Sequence, residues 1–115
     1  MYLDKEGHST DKKPSISGYG AFVNPSNKTA EYCSNKGYWQ YNFTKYTTCG
    51  IINDVKFDKT KTMLLIQELL IAKPTQKIFI EPYLKKSLNL NNETKIRFHG
   101  CGAVRHDDHI HLQIK

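Results

Sequence analysis

Apolar and polar positions along the chain fall into two regimes, with regular periodicity confined to the second half. Met63, Ile66 and Leu70, with Leu65 and Leu69 beside them, recur at helical spacing and form one apolar face. Asp58 stands ahead of them as an N-cap and Pro74 follows as a breaker, so the pattern predicts a helix from Asp58 through about Ala72. Lys77-Ile-Phe-Ile80 then reads as a buried strand. Pro82 suits the first position of a second, short helix running to about Leu88. Residues 89–93 read as a turn and 95–99 as an extended piece. At the C-terminal end Ile110, Leu112 and Ile114 alternate with His109, His111, Gln113 and Lys115. A period of two puts the apolar residues on one face of a strand and both histidines on the other.

The first fifty residues lack such a period. Gly7, Pro14, Gly18, Gly20, Pro25 and Gly37 break them, and only short pieces around 19–23 and 38–46 favour extended structure. A loop region of that length is unusual unless it is functional or tied down. The aromatic stretch at 38–43 is suited to packing it onto the core. The expected fold is α+β: a small antiparallel sheet carrying the 109–115 strand, one or two packed helices, and a long loop-rich N-terminal half. Residues 1–115 are expected to form a single domain, loop-rich over 1–54, with a helix-strand-helix-strand core and the histidine motif over 55–115. Ile110, Leu112 and Ile114 should face the long helix.

A length of 115 residues allows one core and not two. Thirteen aromatics spread through a chain that is 38% hydrophobic argue against a disordered composition. No apolar run approaches the ~20 residues of a membrane helix, and residues 63–66 are followed by Gln67 and Glu68. The charged segment after Met1 has no signal-peptide core. The net charge of +6 suits an anionic partner such as nucleic acid, a phospholipid surface or an acidic wall polymer. However, 15 of the 17 basic residues are lysines and they are scattered, which favours a solvated surface over a nucleic-acid footprint. The three cysteines include no C-x-x-C spacing, which argues against a zinc ribbon or a thioredoxin-type motif. Cys33 and Cys49 bracket a Tyr-rich loop and are the expected disulfide pair, with Cys101 unpaired; the alternative is a Cys101 bridge that pins the histidine loop. One disulfide plus a spare thiol fits an exported protein, and three thiols fit a cytosolic one.

Chemistry concentrates at the end of the chain. His99, His106, His109 and His111 lie within the last 17 residues, with Asp107 and Asp108 among them. Two histidines at i and i+2 on a strand point the same way, roughly 7 Å apart. Imidazole is a preferred zinc ligand, and a neighbouring aspartate can orient it through its second N–H. The plainer alternative is a solvated His-rich strand end that binds metal adventitiously.

The segment His106-Asp-Asp-His-Ile-His-Leu112 resembles the terminal motif of the penicillin-insensitive murein endopeptidases, zinc peptidases of the lysostaphin/D-Ala-D-Ala-carboxypeptidase type. The Leu-rich helix at 63–70, the strand Ile78-Phe-Ile80 and the helix start Pro82-Tyr-Leu-Lys85 follow in the same order, so the likeness spans residues 55–115. The resemblance implies that His111 is a zinc ligand. It implies that His109 stands beside the metal-bound water as base or transition-state stabiliser, and that His106 is a further active-site histidine. Asp107 or Asp108 would fix the loop. The implied cofactor is Zn²⁺, the substrate class is the peptide cross-links of bacterial peptidoglycan, and the location is periplasmic or secreted.

The family's upstream H-x(6)-D motif, which supplies its other two ligands, has no counterpart here; His8 and Asp11 have the wrong spacing. The expectation is therefore a chain that corresponds to the C-terminal part of such a domain and is a weak peptidase or none. Two alternatives stand beside it: a non-catalytic cell-wall binding or interaction module of the same fold, and a small nucleic-acid-binding domain using Lys and Tyr surfaces.

Overall fold

The computed structural model describes residues 1–12, 28–38, 55–103 and 109–115. Within these the chain is α+β, as the pattern predicts. Its elements are β1 (Tyr2–Leu3), β2 (Ser9–Thr10), α1 (Lys28–Asn35), β3 (Lys56–Phe57), α2 (Lys59–Ile71), β4 (Thr75–Phe79), α3 (Pro82–Ser87), β5 (Ile96–Arg97) and β6 (His111–Ile114).

The long helix forms where its cap and face dictate. Asp58 accepts the backbone N–H of Lys61 at 2.9 Å, satisfying one of the donors a helix start leaves open. Ile66 is fully buried and Thr62 nearly so, while Met63, Leu69 and Leu70 are half-buried. The face is narrower than the sequence pattern suggests, since Leu65 is exposed. At the far end the Lys95 ammonium donates to the Leu70 carbonyl, closing one of the last open acceptors.

Two small sheets flank this helix. The first, in the order β2-β1-β3, is wholly antiparallel. It pairs Tyr2 with Phe57, whose rings meet edge to face at 6.5 Å. The second has the order β5-β4-β6, with β6 antiparallel to β4 and β5 parallel to it. It is therefore a mixed sheet rather than a purely antiparallel one. The parallel pair arises because α3 carries the chain from the end of β4 back to the start of β5, which is what a parallel connection needs.

Helix α3 ends with Asn89 in the left-handed region at φ 57°. Leu90 N–H bonds the Lys85 carbonyl and Asn89 N–H bonds the Lys86 carbonyl, the paired bonds of a Schellman ending. That turn sends Leu90 into the core beside Leu84, Leu88 and Ile96. Ile66, Ile78 and Ile80 complete the same cluster, with Ile110 and Leu112 packed against it. Ile110 and Leu112 thus face the core as the alternation requires. Ile114 does not: it is 60% exposed, because its partner Thr75 lies at the beginning of β4, beyond a register irregularity.

The N-terminal half holds more regular structure than its sequence suggests. The hairpin β1–β2 turns through Asp4–Gly7, with Gly7 at φ 87°. Helix α1 also ends in a Schellman pair: Tyr38 N–H to the Cys33 carbonyl and Gly37 N–H to the Ser34 carbonyl, with Gly37 at φ 83°. The pieces at 19–23 and 39–46 lie outside the described residues.

The disulfide differs from the expected pairing. Cys33 bonds to Cys101, not to Cys49, with Cα atoms 5.2 Å apart. Cys33 lies on α1 and is 1% exposed, so the bridge fastens α1 to the loop after β5. The 33–49 pairing rested on nearness in sequence, which does not decide which cysteines meet in space.

Candidate functional site

Register in the β5-β4-β6 sheet positions the histidines. On β4, Ile78 turns into the core and sits opposite Ile96 and Leu112. Phe79, the next residue, therefore lies on the other face. Its antiparallel partner is His111 and its parallel partner is Arg97, two residues before His99. A period of two from Arg97 keeps His99 on that face as well.

Three rings meet there. Phe79 and His99 stack with centroids 4.4 Å apart and planes at 29°. His111 lies 5.7 Å from Phe79 and 5.5 Å from His99, the latter edge to face at 71°. Strands β5 and β6 are not neighbours, and backbones two strands apart are about 10 Å from each other. The two imidazoles are closer than that, so the rings converge over Phe79. His99 and His111 are exposed, which leaves the pair open to solvent.

The loop beyond β5 is fixed on both sides of His99. The Ile80 N–H bonds the Arg97 carbonyl at 3.3 Å. Gly100 follows at φ 98°, a conformation that disfavours any side chain, and Cys101 is then held by the disulfide. Glu81, the residue ahead of α3, is 2% exposed and borders a small cavity of about 10 Å³ with Cys33, Cys101 and Phe98.

The residues singled out by sequence are distributed as follows. His111 is in the ring cluster. His109 precedes the strand, is half-buried, and with Ile110 borders a largely apolar cavity of about 240 Å³ formed by core residues such as Ile66, Ile80 and Leu84. Regular alternation thus starts at His111 rather than at His109. His106, Asp107 and Asp108 lie outside the described residues. His8 is exposed in the β1–β2 turn, where Asp4, not Asp11, is its partner at 3.7 Å.

Nothing in the local spacing of residues 95–101 marks His99; only the pairing of β5 with β4 places it beside His111. Glu81 was equally silent, since Glu-Pro at a helix start reads as solvent-exposed punctuation.

As a metal centre, the cluster offers two imidazoles. Among the described residues no three of His, Cys, Asp and Glu are grouped to hold an ion. No described helix is long and apolar enough to cross a membrane. Compared with protein-family models, curated proteins and solved structures, the chain matches none.

Proposed function

We propose that this protein is a zinc-peptidase-like protein directed at the peptide cross-links of bacterial peptidoglycan. The observation that carries the reading is His111, the proposed zinc ligand, presented on an open sheet face with a second imidazole 5.5 Å away. The motif His106-Asp-Asp-His-Ile-His-Leu112 adds the chemical types such a site needs. Zinc, when bound, lowers the pKa of its water and polarises a peptide carbonyl. On this reading His111 would hold the ion, His109 would take or stabilise the proton beside it, and His106 would be a further polar group of the site. Asp107 or Asp108 would fix the loop, as the resemblance implies. The Cys33–Cys101 bridge suits a periplasmic or secreted location, where disulfides persist.

The second reading is a wall-binding or interaction module of the same fold without catalysis. One experiment separates the two. Purified chain is equilibrated with Zn²⁺, its stoichiometry measured, and cross-linked peptidoglycan peptides added. Zinc binding that His111→Ala abolishes, with slow metal-dependent amide cleavage that His109→Ala removes while zinc stays bound, is the expected result. Binding to peptidoglycan that ignores chelators, with no zinc uptake, would favour the second reading.

A further inference from the structure

We propose that His99 is a metal-ligating residue and shares one zinc ion with His111. The inference rests on the zinc-peptidase reading and adds a ligand that the terminal motif does not contain. Two imidazole nitrogens each about 2 Å from one zinc ion, at a tetrahedral angle, put their ring centres roughly 5–6 Å apart. The His99 and His111 rings are 5.5 Å apart with planes at 71°, within that range.

Strand pairing sets the shared face, but the spacing of the strands alone does not set this closeness. His99 follows β5 and His111 opens β6, and β4 lies between those strands. Their rings converge over Phe79, whose ring centre is 4.4 Å from that of His99 and 5.7 Å from that of His111. A first ligand set needs such support to hold its rotamers. The backbone supplies more of it. Arg97, Gly100 and Cys101 fix the chain around His99 through the bond to Ile80, the left-handed turn and the disulfide. Phe79 is a positioning residue in this arrangement, and the two histidines are the donors. Both are exposed, so an ion reaches them from solvent without opening the core.

Packing alone would explain a stacked ring at position 99 but not a requirement for its nitrogens. His99→Phe makes that distinction, since a phenyl ring keeps the stack on Phe79 and removes the donor. Zinc affinity is measured by chelator competition for the wild type, His99→Phe and His111→Ala, with the disulfide confirmed intact and the fold checked by circular dichroism. In parallel, long-range ¹H–¹⁵N spectra follow the imidazole nitrogens during zinc addition. The expected result is at least about a tenfold loss of affinity in His99→Phe, comparable to that in His111→Ala, with nitrogen resonances of both histidines shifting together in the wild type. If His111→Ala loses zinc while His99→Phe binds as the wild type does, this inference is overturned and the zinc-peptidase reading stands. If the wild type takes up no zinc, both fall. Should His99→Phe fail to fold, His99→Gln replaces it, and failure of the wild-type His99 nitrogens to shift with zinc overturns the inference independently.

Discussion

Asp4 governs the tight turn between β1 and β2. Its carboxylate accepts the backbone N–H of His8 at 2.8 Å, and that bond is the main reason its pKa is held below the ordinary carboxylate value. The nearby His8 ring and the N–H groups of Glu6 and Gly7 act in the same direction. A carboxyl group whose pKa is depressed by folding contributes stability that is present above its unfolded value and is lost as pH falls through its folded value. The window therefore lies below about pH 4. Asp4→Asn keeps an oxygen acceptor and removes the charge. Its melting temperature is expected to fall less steeply than the wild type's as pH is lowered through that window. Parallel acid limbs for the two proteins would show that Asp4 does not titrate against the fold. Because the side chain meets water, the effect is confined to this slope.

Helix α2 illustrates what local sequence decides. Its start depends on Asp58, a buried cap whose oxygen holds the Lys61 N–H. Asp58→Ala is expected to destabilise the chain by about 1 kcal/mol in urea unfolding, with the m-value unchanged. Asp58→Asn, which caps as well, should recover most of that loss. Cap, face and breaker lie within one short stretch of sequence, and the predicted helix and the observed Lys59–Ile71 agree to a residue at either end. Strand β4 and helix α3 were legible for the same reason. Helix α1 was not. Its residues Lys28–Asn35 are mostly polar and make only about two turns, too short a window to establish a period, and its clearest mark is Gly37, which ends a helix but reads equally well as a breaker inside a loop. Burial of α1 comes through Cys33 and its bond to Cys101, a contact that no window of sequence contains. The two-residue strands β1 and β2 were similarly hidden, because such strands are too short to show alternation and are defined by pairing with each other and with β3.

At the scale of the whole molecule, the disulfide joins the least patterned half of the chain to its histidine-bearing end. Cys33 and Cys101 are separated by 68 residues, and Cys101 lies two residues beyond His99. The terminal H-x-H motif was legible in sequence because its spacing is local. The pairing of His99 with His111 was not, because it depends on a parallel strand register and on a loop anchored from α1. The bridge has two separable effects. Closing a loop of that length restricts the unfolded chain, an effect on the order of 4 kcal/mol. The Cys33→Ser/Cys101→Ser double variant is accordingly expected to melt at least about 10 °C lower. The second effect is local: without the bridge, the turn after His99 loses its anchor on α1. On the proposed zinc reading, at a temperature where the double variant is still fully folded by far-ultraviolet circular dichroism, its zinc affinity should be several-fold weaker than the wild type's. If the variant melts earlier yet binds zinc as the wild type does, the bridge acts on the unfolded chain alone, and the hydrogen bond from Ile80 to Arg97 and the stack on Phe79 suffice to hold His99 in place.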